Sequence, residues 1–298
     1  MLTPRTLTSL LLALPLAATA LLSSAHAIPS AAQNPRVGAE VAKARRTFDV
    51  NGVKRNALVA LPGAKSDRPV PLVFVFHGHG GNAMQTGRKF AIHKIWPEAL
   101  VVYPQGLKTV GILTDPKGEK TGWQTHMNEG KNRDLDFFDH MLKTLGEEHS
   151  IDNRRIHVTG HSNGGGFSYF LWSQRGKEIA SLAPSASASR RVLRNAELIP
   201  RPVLHIGSPK DTLVLWRWQE ATINALRKLH ECGKGEPWGE RKGCTRYPGK
   251  TPVYTFVHKG GHRFSDDAPA HMVAFFKSHP LPEVTERKSD KTVEDKDN

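Results

Sequence analysis

The sequence predicts an α/β fold with a mostly parallel central sheet and helices on both faces. Three observations carry that prediction. Continuous apolar runs of strand length recur, as at Pro71–Phe76 and Ala99–Tyr103, and a run apolar at every residue suits a strand buried on both faces. Helix-compatible segments alternate with these runs, at 84–96, 134–148, 165–175, 217–231 and 265–278, the order that builds a covered parallel sheet. Residues able to do chemistry fall where the strands end, which is where open α/β sheets place their sites.

The elements follow in chain order. Arg5 precedes the apolar run Ser9–Leu14, and small residues lead to Ala25-His26-Ala27. A charged start, an apolar middle and a small-residue exit form a secretory signal over 1–27, with cleavage expected after Ala27. The apolar run is too short for a membrane span and is interrupted by Pro15. Residues 28–44 are small and polar and form a lead-in, and 45–281 hold one domain, in keeping with a chain of 298 residues. Within it, Phe48–Val50 and Asn56–Leu61 form two strands turned at Asn51-Gly52. Further strands are expected at Pro71–Phe76, Ala99–Tyr103, Arg155–Thr159, Ile179–Ala183, Val203–Ile206 and Val253–Val257. Residues 282–298 are charged and nearly free of apolar residues, the composition of a disordered tail.

Gly160-His161-Ser162-Asn163-Gly164 fits G-x-S-x-G between an expected strand and an expected helix. That context turns the motif into a nucleophile elbow, in which a sharp turn lifts the serine hydroxyl above the sheet. A serine hydroxyl needs a base to take its proton, and the base needs an acid to orient it. The acid is expected next in the chain and the histidine last. Asp211, in Gly207-Ser208-Pro209-Lys210-Asp211, follows a buried strand, and His262 follows Gly260-Gly261 after the last strand. Asp211 has a rival reading as a plain helix cap. His77-Gly78-His79-Gly80-Gly81 ends an early buried strand. It resembles the H-G-G-G loop that supplies an oxyanion donor, so the His79 and Asn163 N–H groups are the expected donors. The rival reading is a metal pair at His77 and His79, for which no third ligand stands out. No cofactor or metal is expected. His161, beside the nucleophile, and Trp123 are expected to line the pocket, and Asp134 to cap the helix that starts there and hold the nearby loop. Phe137 and Phe138 are expected in the core.

The formal net charge is +14. Its lysines and arginines are scattered, without the aromatic-interleaved basic stripe or motif of a nucleic-acid binder. The expected partner read from the charge is therefore an anionic polysaccharide or cell envelope, not nucleic acid. The 2 cysteines, Cys232 and Cys244, are expected to form one disulfide, since an even, closely spaced pair in an exported chain reads as a staple.

Together these pieces resemble the secreted polyhydroxybutyrate depolymerase and feruloyl esterase group of α/β-hydrolases. The marks are Asn51–Arg55, His77–Gly81, the Trp123 loop with Asp134, Gly160–Gly165, the Asp211 loop, the late cysteines and Gly261-His262. The resemblance spans Phe48 to about His279. It implies an α/β-hydrolase fold, a Ser162–His262–Asp211 triad and oxyanion donors at His79 and Asn163. The chain departs from the group's pattern in its longer acid loop and in Arg263-Phe264, where a Trp-Pro pair is common. The expectation is a secreted (extracellular or periplasmic) serine carboxylesterase that works through an acyl-enzyme. Its substrates would be polyhydroxyalkanoate oligomers or feruloyl or acetyl esters of polysaccharides. Two alternatives stay open: a prolyl-oligopeptidase-like serine peptidase, and a non-catalytic carbohydrate- or envelope-binding module.

Overall fold

The computed structural model describes residues 44–63, 67–189, 192–194 and 198–283. The expected signal segment, nearly all of the lead-in and all but the first two residues of the charged tail lie outside the described residues.

The chain opens with a hairpin. Strands β1 (Arg45–Val50) and β2 (Val53–Ala60) pair antiparallel from Arg45 opposite Leu58 to Val50 opposite Val53. Asn51 and Gly52 turn it at φ 53° and 79°, the double left-handed conformation that matches the twist of two adjoining strands. Next come β3 (Val70–Phe76), α1 (Ala83–Phe90), α2 (Ile92–Ile95) and β4 (Leu100–Pro104). The helix expected over 84–96 is thus two helices. Ala91, left-handed at φ 45°, separates them and lets both Phe90 and Ile92 enter the same apolar cluster.

The two-residue strands β5 (Leu107–Lys108) and β6 (Thr121–Gly122) form a separate antiparallel pair. There follow α3 (Arg133–Glu148), β7 (Ile151–His161), α4 (Asn163–Arg175), β8 (Ser181–Ser185) and β9 (Val203–Gly207). The chain continues through α5 (Trp216–Leu229), β10 (Glu236–Pro237), β11 (Cys244–Tyr247), β12 (Val253–Val257) and α6 (Ala268–Lys277).

Ten strands form one sheet in the order β1-β2-β4-β3-β7-β8-β9-β12-β11-β10. The six from β4 to β12 run parallel, and an antiparallel hairpin closes each edge. Side chains alternate across each strand. Leu72, Phe74 and Phe76 therefore join one buried cluster with Leu135, Phe138, Phe167 and Trp172. Val73 and Val75 join the other with Phe90, Ile92, Met272 and Phe275. Helices α3, α4 and α5 cover the first face, and α1, α2 and α6 the second. This is an α/β-hydrolase fold, with a doubly covered, mostly parallel sheet.

The expected disulfide is overturned, because Cys232 and Cys244 are both free thiols. Cys232, just past α5, packs against the first cluster, whereas Cys244 begins β11 and belongs to the second. The sheet lies between them, and sequence spacing carries no information about which face a side chain takes. Burial pushes both thiols up, Cys244 to about 11, as expected of inert, packed cysteines.

Candidate active site

Strand β7 ends at His161, and Ser162 makes the turn into α4 with φ 56° and ψ −118°. A positive φ is uncommon outside glycine, and the surroundings enforce it here. Ser162 N–H donates to Ser185 O at 2.8 Å, and Gly166 N–H donates back to Ser162 O at 2.9 Å. The turn brings α4 onto the end of β3 so closely that a Cβ on Gly164 would stand 2.4 Å from Phe76 O. A Cβ on Gly160 would stand 2.5 Å from the Gly164 carbonyl. Glycine at both flanks is therefore a condition of the elbow.

Ser162 Oγ lies 3.0 Å from His262 Nε2. The other ring nitrogen, Nδ1, lies 3.0 and 2.9 Å from the two oxygens of Asp211. A carboxylate only accepts, so Nδ1 carries the proton and Nε2 is free to accept from the serine hydroxyl. The loops after β7, β9 and β12 thus bring three residues from distant parts of the sequence into one hydrogen-bonded row. The Asp211 side chain is fully buried, while His262 is partly open.

Asp211 is held by more than the histidine. Its Oδ1 accepts from the N–H groups of Leu213 and Val214, both at 2.9 Å, and its Oδ2 from Gln219 Nε2 at 3.0 Å. Asp211 is not a helix cap: α5 starts at Trp216 after Leu215, which carries no side-chain cap, and the carboxylate instead closes the turn ahead of the helix. Gln219 is buried, also donates to Val214 O at 2.7 Å, and its Oε1 faces His205 Nε2 at 3.4 Å. Ser208 Oγ accepts from Gly261 N–H at 3.1 Å and from Lys210 N–H at 3.2 Å, which ties the aspartate loop to the histidine loop. Sequence reasoning passed over Gln219 and Ser208. The only available signal for Ser208 was its place in the loop that carries Asp211.

His161 supports the same loop. Its Nε2 donates to the His262 carbonyl at 3.1 Å, and its Nδ1 faces Ser185 Oγ at 3.2 Å. Burial, and then the neighbouring His262, lowers its pKa to about 3, so it is neutral. Phe264 packs edge-on to His161 and stacks on Phe90, so this departure from the group's pattern fills a wall behind the histidines.

Opposite Ser162 lies the loop after β3. Its Gly78 is so close to the elbow that a Cβ there would be 3.6 Å from Ser162 Cβ. His77 is buried, with Nδ1 bonded to Gly78 O at 2.8 Å and Nε2 accepting from Gly106 N–H at 2.9 Å. Burial lowers its pKa to about 4. Both ring nitrogens are thus engaged within the protein. His79 faces Asp115, Nε2 to Oδ2 at 3.0 Å, a partner that sequence reasoning missed.

Trp123 does not line the pocket. It is 1% exposed and packs beneath the site against Phe76 and Phe167. Its indole N–H donates to His77 O at 2.9 Å. An indole that finds an apolar bed and a carbonyl partner is satisfied in the core. Asp134 holds this loop as expected, accepting from Gln124 N–H at 2.9 Å and pairing with buried Arg55 at 2.8 Å. The helix end is capped the other way round: Gln124 Oε1 accepts from the N–H groups of Asp134 and Leu135. Phe137 and Phe138 are fully buried, as expected.

A cavity of about 930 Å³ opens over Ser162 and His262. Gly78, His79, His161 and Asn163 line its reactive side, and Val110, Ile112, Leu113, Val214 and Trp218 its apolar side. Ile112, Leu113, Val110 and Trp218 are 82%, 53%, 48% and 37% exposed, an apolar rim at the mouth. Among the described residues, no group of three or more His, Cys, Asp or Glu is placed to hold a metal, and no helix is long and apolar enough to cross a membrane.

No family model matches the chain. It is 28% identical over 267 residues to a probable feruloyl esterase C of Aspergillus clavatus, covering 84% of this chain and 90% of that one. It is 30% identical over 149 residues to feruloyl esterase D of Neurospora crassa, covering 48% of each. It is 24% identical over 204 residues to feruloyl esterase B of Piromyces equi, covering 65% of this chain. The chain spans only 37% of the length of that last relative, and 18% of a bifunctional acetylxylan esterase/xylanase of Neocallimastix patriciarum. Among solved structures, it superimposes on a Bacillus cereus carboxylesterase with a TM-score of 0.52 at 15% identity, covering 75% of this chain and 93% of that one. It superimposes on the Pyrococcus horikoshii acylaminoacyl peptidase with a TM-score of 0.54 at 14% identity, covering 82% and 43%. The chain is therefore homologous, at low identity, to feruloyl-esterase-like and related enzymes of the α/β-hydrolase fold.

Proposed function

We propose that this protein is a serine carboxylesterase. The observation that carries the reading is the hydrogen-bonded row Ser162–His262–Asp211 on a strained elbow, opening into a largely apolar cavity. Ser162 Oγ attacks the ester carbonyl as His262 Nε2 takes its proton. The oxyanion that forms accepts from the backbone N–H groups of His79 and Asn163, the latter at the N-terminus of α4. His262 then protonates the departing alcohol, which leaves an acyl group on Ser162. Water, deprotonated by His262, releases the acid by the same steps in reverse.

An aromatic acyl group suits the apolar wall of Val110, Ile112, Leu113 and Trp218, and several relatives are named as feruloyl esterases. Feruloyl esters of polysaccharides are therefore the preferred substrates, ahead of acetyl esters and 3-hydroxyalkanoate oligomers. The signal-like segment expected over 1–27 supports export, and the +14 charge favours association with an anionic polysaccharide.

The test is labelling with a fluorophosphonate, with the modified peptide mapped, beside turnover of methyl ferulate, p-nitrophenyl acetate, 3-hydroxybutyrate oligomers and a peptide amide. Wild type should label at Ser162 and turn over methyl ferulate best. Ser162→Ala should fold normally, fail to label and lose at least about 1,000-fold in kcat. An inert wild type would sink the esterase reading, and amide turnover above ester turnover would replace it with a peptidase.

A further inference from the structure

The segment Leu107–Trp123 leaves the sheet after β4, forms the β5–β6 pair and returns beneath the elbow. Its bonds converge on His79 and Asn163, the two residues expected to offer oxyanion N–H groups. Asp115 Oδ2 lies 3.0 Å from His79 Nε2. Asn163 makes a reciprocal pair with the Trp123 backbone, Oδ1 accepting from Trp123 N–H at 2.8 Å and Nδ2 donating to Trp123 O at 3.0 Å. Around His79 the same segment adds Gly80 N–H to Thr121 O at 2.7 Å and Thr121 Oγ1 to Gly81 O at 2.6 Å. Both residues expected to offer oxyanion N–H groups thus have their side chains fastened to one arm.

Asp115 is where the arm is locked. It is 6% exposed, and its carboxylate gathers the arm's own return: Oδ2 accepts from Lys120 N–H at 2.8 Å and Oδ1 from Glu119 N–H at 3.2 Å. Its backbone bonds Gly111 in both directions. The His79 ring lies in a slot that only glycine leaves open. A Cβ on Gly111 would stand 2.6 Å from Nε2, and one on Gly122 would stand 2.7 Å from Nδ1. Buried Nδ1 has no partner, so the slot serves the Nε2 bond to Asp115. The β5–β6 pair has only two residues in each strand and gives the arm little stiffness of its own.

We propose that Asp115, acting through the His79 side chain, is a positioning residue for the oxyanion site, and that it sets the orientation of the His79 N–H toward the tetrahedral intermediate. The proposal rests on the esterase reading above. Asp115 touches no reacting atom. Its effect is to fix the backbone that does, and oxyanion donors work only when they are aimed in advance.

The experiment compares wild type, Asp115→Ala, Asp115→Asn, His79→Ala and the double variant His79→Ala/Asp115→Ala. The readouts are kcat and KM for p-nitrophenyl acetate and methyl ferulate, and Ki for a trifluoromethyl ketone. In that inhibitor Ser162 Oγ bonds the carbonyl carbon, His262 takes the serine proton, and the ketone oxygen becomes an oxyanion in the same site.

Asp115→Ala should lower kcat on both esters by about 10- to 100-fold and move KM by less than about threefold. Ki should rise by the same factor as kcat falls. Asp115→Asn, which keeps an acceptor for Nε2, should recover most of the loss. His79→Ala retains its backbone N–H but loses the lock, so it should match Asp115→Ala, and the double variant should be no worse than either single one. If Asp115→Ala does not fold, His79→Ala and Asp115→Asn decide the matter by the same readouts. Folded variants with unchanged kcat and Ki, or with the whole effect in KM, overturn the positioning role. A wild type that neither labels nor turns over esters overturns the esterase reading itself.

Discussion

In the proposed triad, Asp211 shows how much of the arrangement is built by residues that do not touch the serine. Its carboxylate accepts from Leu213 N–H, Val214 N–H, Gln219 Nε2 and His262 Nδ1, so a fully buried anion is satisfied on every side. The backbone donors fix one oxygen and Gln219 fixes the other, which leaves a single orientation in which both oxygens face the imidazole. Gln219→Leu keeps the volume and removes one charge-assisted bond, worth about 1.5–3 kcal/mol. If that loss falls on the orientation of His262, kcat drops by about 10- to 100-fold. The measurement is kcat on p-nitrophenyl acetate beside the melting temperature. An unchanged kcat would mean that the two backbone donors are sufficient.

At the scale of elements, the β1–β2 hairpin is joined to the site through one buried ion pair. Arg55, on β2, bonds Asp134 Oδ1 at 2.8 Å and Arg133 O at 2.9 Å, and lies over the Phe137 ring. Asp134 passes the constraint to Gln124, beside Trp123 and the arm. Both side chains are all but inaccessible, so removing one strands a charge in the core at about 3–5 kcal/mol. Asp134→Ala should lose that much in a urea titration. Arg55→Met/Asp134→Leu, which removes both charges, should recover much of it. A double variant as unstable as the single one would show that the pair matters for shape rather than for charge. This linkage was half legible in the sequence. Asp134 stood out beside Phe137 and Phe138, but Arg55 lies 79 residues away in a strand whose neighbours reveal no partner.

For the whole molecule, legibility followed local pattern: Asp211 and His262, 51 residues apart, could be read because each sits in a loop that ends an apolar strand. The elbow could be read because Gly160, Ser162 and Gly164 lie within five residues between a strand and a helix, and the β1–β2 turn because Asn51-Gly52 is local. The arm could not, since β5 and β6 are too short to leave a period. The cysteines misled because spacing does not reveal the face of the sheet. In the fold the buried histidines act together. His77, His157, His205 and His230 are all at most 2% exposed. Burial chiefly lowers their pKa values from 6.5 to about 4, about 3, about 4 and about 4. Below pH 6.5 the unfolded chain takes up protons that these native histidines refuse, so stability falls as pH falls. The loss begins near pH 6.5 and levels off only once the folded-state values are passed, near pH 4 for three of them and near pH 3 for His157. Asp115 contributes separately and lower: its carboxylate, held to about 2 first by the Lys120 N–H and then by His79, loses its contribution only below the ordinary aspartate range. Calorimetric scans from about pH 7.5 to about pH 4.5 at constant ionic strength should therefore show a melting temperature that is nearly level down to about pH 6.5 and then falls, by about 2–4 °C for each kcal/mol lost in a domain of this size. A flat profile would mean that these four imidazoles are protonated in the native protein at acid pH, and that their burial is relieved by water.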